Sequence, residues 1–155
     1  MVSVLLIIHM LCAVALIGAI THQALSVWWP VAAGQQRNFV ASFRGVRSAA
    51  YTKPIIILYV ITALIGVVIY PTYRIGIRPI LEQVHFNKPL GLFELKEHFI
   101  TIGFALLPVY WYLWRQPLTA EQATTRRIVT GLLMLIVWWG FLVGHILNNI
   151  RGFGL

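Results

Sequence analysis

Five histidines, His9, His22, His85, His98 and His145, carry most of the chemical potential of this chain. An imidazole can bind a metal through one ring nitrogen while a hydrogen bond to the other fixes its tautomer. His9 lies early in "VLLIIHMLCAVALIGAITHQALSVWW" and His145 late in "GFLVGHILNN". His98 stands in "LFELKEHFITIGFALL", where Glu94, Lys96 and Glu97 give way to apolar residues. Ionisable groups in apolar segments are costly and call for a reason. A single neutral histidine is more often a helix–helix hydrogen bonder than a ligand, so a ligand role requires several that converge. Other metal and cofactor signals are missing. Cys12 is the one cysteine, there is no aspartate, and neither HExxH nor CxxCH occurs. That excludes zinc clusters, iron–sulfur centres and covalently attached haem.

The elements that position these residues follow from composition. The chain is 59% hydrophobic and 10% charged, with a mean hydropathy of +0.82. A soluble domain carries roughly 25% charged residues. The apolar residues gather into four blocks at about 4–29, 50–70, 98–114 and 128–147, each near the ~20 residues a helix needs to cross a bilayer. The expected architecture is an all-α, integral membrane four-helix bundle forming a single domain over residues 1–155. Pro30 and Gly34 close the first block, Pro54 suits a helix start, Pro108 a kink, and Asn148, Asn149 and Gly152 a helix end. The first block has no basic leader or cleavage site and reads as a retained helix. Residues 71–97 form the one long connection, an ordered loop in which Pro79 opens a short helix and Ile80, Leu81, Val84 and Phe86 lie on the membrane surface.

The net charge of +8 does not point to nucleic acid, because the basic residues sit between the apolar blocks rather than along one stripe. Arg37, Arg44, Arg47 and Lys53 have no acid among them, and Arg115, Arg126 and Arg127 face only Glu121. In the long connection Arg74, Arg78, Lys88 and Lys96 are offset by Glu82, Glu94 and Glu97. The positive-inside bias puts the first two segments in the cytoplasm and both termini, with the long loop, in the periplasm of a bacterial inner membrane.

That topology brings His9, His98 and His145 to one half of the bilayer on three different helices, with His85 in the loop above. Imidazoles converging between helices can hold haem iron or a transition metal. Haem b fits best, since a flat macrocycle needs apolar walls and small neighbours such as Gly140 and Gly144, although this GxxxG pair also fits plain helix packing. His9 with His98 is the first ligand pair and His98 with His145 the second. Arg74, Arg78, Tyr70, Tyr73 and Lys96 lie at the same level, suited equally to haem propionates or phospholipid headgroups. Glu94 or Glu97 would accept the Nδ1 proton of a ligating histidine, pair with a nearby cation, or simply favour a helix start. His22 follows His9 by 13 residues, about 220° round an ideal helix, so the two do not share a face. It lies over a strip of Ala15, Gly18 and Ala19, where a second haem would need a ligand other than histidine. Trp138–Trp139 falls mid-span, where one ring must face a helix, a pigment or lipid.

Four spans with an early histidine in "IIHMLCAVALIGAITHQA" resemble small haem-associated membrane proteins, the four-helix protoporphyrinogen oxidase of bacteria and the copper-resistance CopD-like group. The resemblance implies a four-helix membrane fold associated with haem or copper. The expected function is a small cytochrome b-like subunit that binds haem b and passes electrons within a larger membrane complex, with quinone and lipid as further partners. The alternatives are a cofactor-free accessory subunit of a respiratory or photosynthetic assembly, and a porphyrin- or copper-handling enzyme. With so little chain outside the bilayer, an electron-transfer or accessory role suits it better than a self-contained enzyme.

Overall fold

The computed structural model describes residues 2–30, 39, 48–85, 87–117 and 119–152. Gly34, Arg37, Arg44, Arg47 and Phe86 lie outside the described residues, and with them three of the seven cations that set the expected orientation. Among the described residues the regular structure is entirely helical: α1 (Val2–Trp28), α2 (Thr52–Thr72), α3 (Arg78–Gln83), α4 (Asn87–Arg115) and α5 (Ala120–Gly152). Three stretches, Val2–Trp28, Ser48–Gln83 and Ala120–Asn149, are long and apolar enough to cross a membrane. A helix satisfies that setting because each of its backbone hydrogen bonds closes within the segment. The expected third crossing is part of α4, which falls outside this group. Lys88, Glu94, Lys96 and Glu97 occupy the first half of α4, and tyrosines and tryptophans crowd its end.

The connection at 71–97 differs from the expected loop in being helical almost throughout. Pro71 lies inside α2 and takes one donor out of the ladder, and the turns widen directly afterwards into a π-helical stretch, Tyr73–Ile77. α3 follows with Pro79 in its first turn. The chain then reverses at Val84 and His85, where His85 has φ 55 in the left-handed region that few non-glycine residues adopt. α4 begins at Asn87, well before the apolar block. Glu94 and Glu97 therefore sit inside a helix rather than at its start, so the helix-dipole account of these two acids does not hold. Asn148 and Asn149 likewise fail to end α5, which runs on to Gly152.

Paired contacts fix the packing. Trp138 Nε1–H donates to Thr21 Oγ1 at 2.9 Å, and Trp28 lies against Gly131, so α1 and α5 run antiparallel. Tyr59 OH donates to the Ile100 carbonyl at 2.8 Å, and the same hydroxyl fills the space where Gly103 would carry a Cβ. A side chain there would push α2 and α4 apart. Phe99 meets Trp139 across the α4–α5 seam at 5.8 Å between ring centres, so both mid-span tryptophans contact neighbouring helices. The buried core gathers at one end of this packing, around Leu16, Ile20, Ile55, Tyr59, Leu107, Tyr110, Trp114 and Leu133.

Candidate functional site

His9 and His145 lie beyond that core along α1 and α5, whereas His98 sits at its edge, two residues from the Ile100 carbonyl that binds Tyr59, and the three face different ways. His9 points towards α2, its Cε1 3.5 Å from where a Cβ on Gly66 would stand, and Lys96 and Glu97 of α4 lie within electrostatic reach. Its Nδ1 is buried without a hydrogen-bond partner. The rings of His98 and His145 are exposed, each bonded within its own helix. Among the described residues no three His, Cys, Asp or Glu side chains come together to hold a metal ion.

His98 is nevertheless well prepared chemically. Its Nδ1 lies 2.7 Å from the Glu94 carbonyl oxygen. A carbonyl only accepts, so Nδ1 carries the proton and Nε2 presents a lone pair to the outside. The partner of Nδ1 is thus the Glu94 backbone and not either carboxylate. The carboxylates are used otherwise. Glu94 Oε1 sits 3.3 Å from Arg78 Nη1, and Glu97 Oε1 2.8 Å from Lys96 Nζ. His145 Nε2 accepts from Asn149 Nδ2 at 3.2 Å, and its ring stacks on Phe141 at 6.2 Å.

The basic group proposed for propionates or headgroups is largely paired. Arg78 Nε binds Glu82 Oε1 at 2.7 Å, and Arg74 Nη1 donates to the Tyr70 hydroxyl at 3.3 Å. Lys96 rests over the Phe93 ring at 4.5 Å, which in turn stacks on Tyr73 at 3.9 Å. The Tyr73–Phe93 stack holds the π-helical stretch against α4, and the Arg78–Glu94 pair ties the start of α3 to it. Of the two small residues expected to leave room for a macrocycle, Gly140 is packed against the Ile100 side chain, whereas Gly144 meets nothing within 4 Å.

The opposite end holds a polar cluster that sequence reading passed over. Gln23 is fully buried. Its Nε2–H donates to the Ser48 carbonyl at 2.9 Å and to Thr52 Oγ1 at 3.1 Å, while Tyr110 OH donates to its Oε1. One amide thereby ties α1 to α2 and α4. His22, also buried, stacks on Tyr51 at 5.0 Å beside this cluster, while Gly18 of the adjoining strip faces open space. Arg126, counted in sequence as a loop cation, is 7% exposed. It donates to the Leu113 and Gln116 carbonyls at 2.7 and 2.8 Å and lies over Trp114 at 5.1 Å, capping the end of α4. The available signal was a lone amide inside an apolar block, and an arginine six residues after the first residue of α5.

A third feature lies between α4 and α5. A wholly apolar groove of about 440 Å³ runs from Leu95, Phe99 and Trp139 to Leu106, Leu132 and Leu135.

No protein family, characterised protein or solved structure matches this chain.

Proposed function

We propose that this chain is a small multi-pass accessory subunit of a larger electron-transfer complex in a bacterial inner membrane, folded there as a four-helix bundle with both termini on the periplasmic side. The observation that carries this reading is the pairing of buried polar atoms without partners, His9 Nδ1 and Thr62 Oγ1, with the loosely packed half of α1; Trp139 Nε1 at mid-length and Gln122 Oε1 and Arg126 Nε at the closely packed end also lack partners. In hydrocarbon such atoms are expensive. An adjoining subunit would supply the missing partners and cover the loosely packed half of α1, where no residue from 2 to 15 is buried. At the other end the amide hub holds the helices in register without help. The test is native extraction of the tagged chain from its own membrane. Migration with a larger redox-active assembly is expected, and migration as a free chain overturns the reading.

Haem b ligation is the second reading, favoured by the fixed tautomer and outward Nε2 of His98. The helix exterior would offer one axial ligand and a neighbouring subunit the other. A reduced-minus-oxidised spectrum of the extracted assembly tests it: a b-type α-band lost in His98→Ala supports haem at that position, and an unchanged band removes His98 from the ligand set. A porphyrin- or copper-handling enzyme has no separate observation in its favour.

A further inference from the structure

The groove between α4 and α5 is wholly apolar and selects no single occupant, and the cluster around Gln23 closes on itself. The C-terminal end of α2 is different, because hydrogen-bond donors, aromatic rings and an apolar track meet there on one exposed surface.

Arg74 stands in the π-helical stretch just after α2, and its Nη1 donates to the Tyr70 hydroxyl at 3.3 Å in an exposed bond. A guanidinium carries five N–H donors and no acceptor, and a phenol that accepts one bond still has its own O–H to give. The pair therefore presents donors to whatever lies outside it. Tyr70 is held in place by ring contacts with Tyr73 at 6.4 Å and Phe93 at 6.1 Å. The neighbouring cations are neutralised, Arg78 by Glu82 and Glu94 and Lys96 by Glu97. Arg74 has a neutral partner instead.

An exposed apolar track leads up α2 to this pair. Leu64, Val67, Pro71 and Arg74 recur at intervals of three and four residues, the spacing of one helix face. Leu64 is 59% exposed and Val67 68%. From Leu64 to Arg74 the helix rises about 15 Å, half of the ~30 Å hydrocarbon thickness of a bilayer. One acyl chain lying on the track thus brings its headgroup to Arg74. The rings of Tyr70, Tyr73 and Phe93 stand at the same level, as aromatic side chains do where hydrocarbon meets water.

We propose that Arg74 and Tyr70 bind the phosphate of an anionic phospholipid whose acyl chain lies along Val67 and Leu64. A phosphodiester offers acceptors only and so matches the two donors. A headgroup with no cation of its own is favoured, because an ammonium or choline group would be repelled by Arg74. The site requires only that α2 spans a bilayer, and it stands whether or not the chain joins an electron-transfer assembly.

The test is native mass spectrometry of the full chain in mild detergent, titrated with phosphatidylglycerol or phosphatidylcholine of the same acyl composition. Phosphatidylglycerol is expected to bind about tenfold more tightly, or ~1.4 kcal/mol, close to one charge-assisted hydrogen bond. Arg74→Gln, with an unaltered circular dichroism spectrum, should abolish that preference, and Arg74→Lys should keep part of it. Tyr70→Phe should weaken phosphatidylglycerol about threefold, the value of one neutral hydrogen bond. Lys53→Gln removes a charge at the opposite end of α2 and should change nothing. Equal affinity for the two lipids, an unchanged preference in Arg74→Gln, or an equal loss in Lys53→Gln overturns the site. Full displacement by equimolar inorganic phosphate overturns the lipid as its occupant.

Discussion

The two ends of this molecule differ in how their polar groups bond, although neither satisfies every one: Gln122 Oε1 and Arg126 Nε lack partners at the core end, as His9 Nδ1 and Thr62 Oγ1 do at the other. At the core end, Gln23 spends both its amide nitrogen and its oxygen on partners from other segments, and Tyr110, Thr52 and Ser48 are satisfied in the same step. At the histidine end, His98 and His145 bond only within their own helices, and His9 Nδ1 and Thr62 Oγ1 have no partner. The first arrangement fixes how this chain packs on itself. On the proposed reading the second is the one completed by a neighbouring subunit.

The sharpest way to break this comparison is at the middle, where the two ends join. Gly103→Val should cost about 3 kcal/mol, because a side chain would strike the buried Tyr59 hydroxyl and approach Ile136 Cγ2. Unfolding in mixed detergent, followed by circular dichroism, measures it. An unchanged midpoint would show that α2 and α4 separate at no cost. Gln23→Ala comes next, at roughly 2–3 kcal/mol from unpaired buried groups and a small cavity, read by the same titration. A cost as small as that of a surface change would remove the hub from the account. Arg126→Ala should lose roughly 1.5 kcal/mol with the two carbonyl contacts that cap α4. Hydrogen exchange should rise at residues 113–116 in that variant.

At the histidine end the same kind of change should be nearly silent in the isolated chain. Gly144→Ala, where a Cβ meets nothing within 4 Å, should stabilise α5 by about 0.5 kcal/mol through helix propensity alone. If this face docks on a neighbouring subunit, the same substitution weakens co-purification with the assembly while the isolated chain keeps its small gain in stability. Loss of stability without loss of assembly would reverse the roles assigned to the two ends.

Parts of this were readable along the sequence and parts were not. The apolar blocks announced the helices of residues 2–28, 52–72 and 120–152, since helix formation among apolar residues is a local matter of length and composition. His98, expected at the start of a span, instead lies eleven residues after the first residue of α4. The long connection misled because charge and proline signal a break, whereas Pro71 and Pro79 were absorbed by a π-helical stretch and a first turn. Glu94 and Glu97 misled in the same way, as α4 begins before the charged run.

That the chain is helical and apolar, with imidazoles set among the apolar residues, is written along the chain itself, because those properties depend on neighbours a few residues away. Only the tertiary structure decided where those imidazoles point, that Arg126 is buried against the end of α4, and that Gln23 joins three segments separated by as many as 87 positions. A side chain's direction depends on how each helix is rotated against the next. That rotation is set by the summed fit of contacts such as Gly103 on Tyr59 and Trp138 on Thr21, a property of surfaces in contact and not of any single stretch of chain.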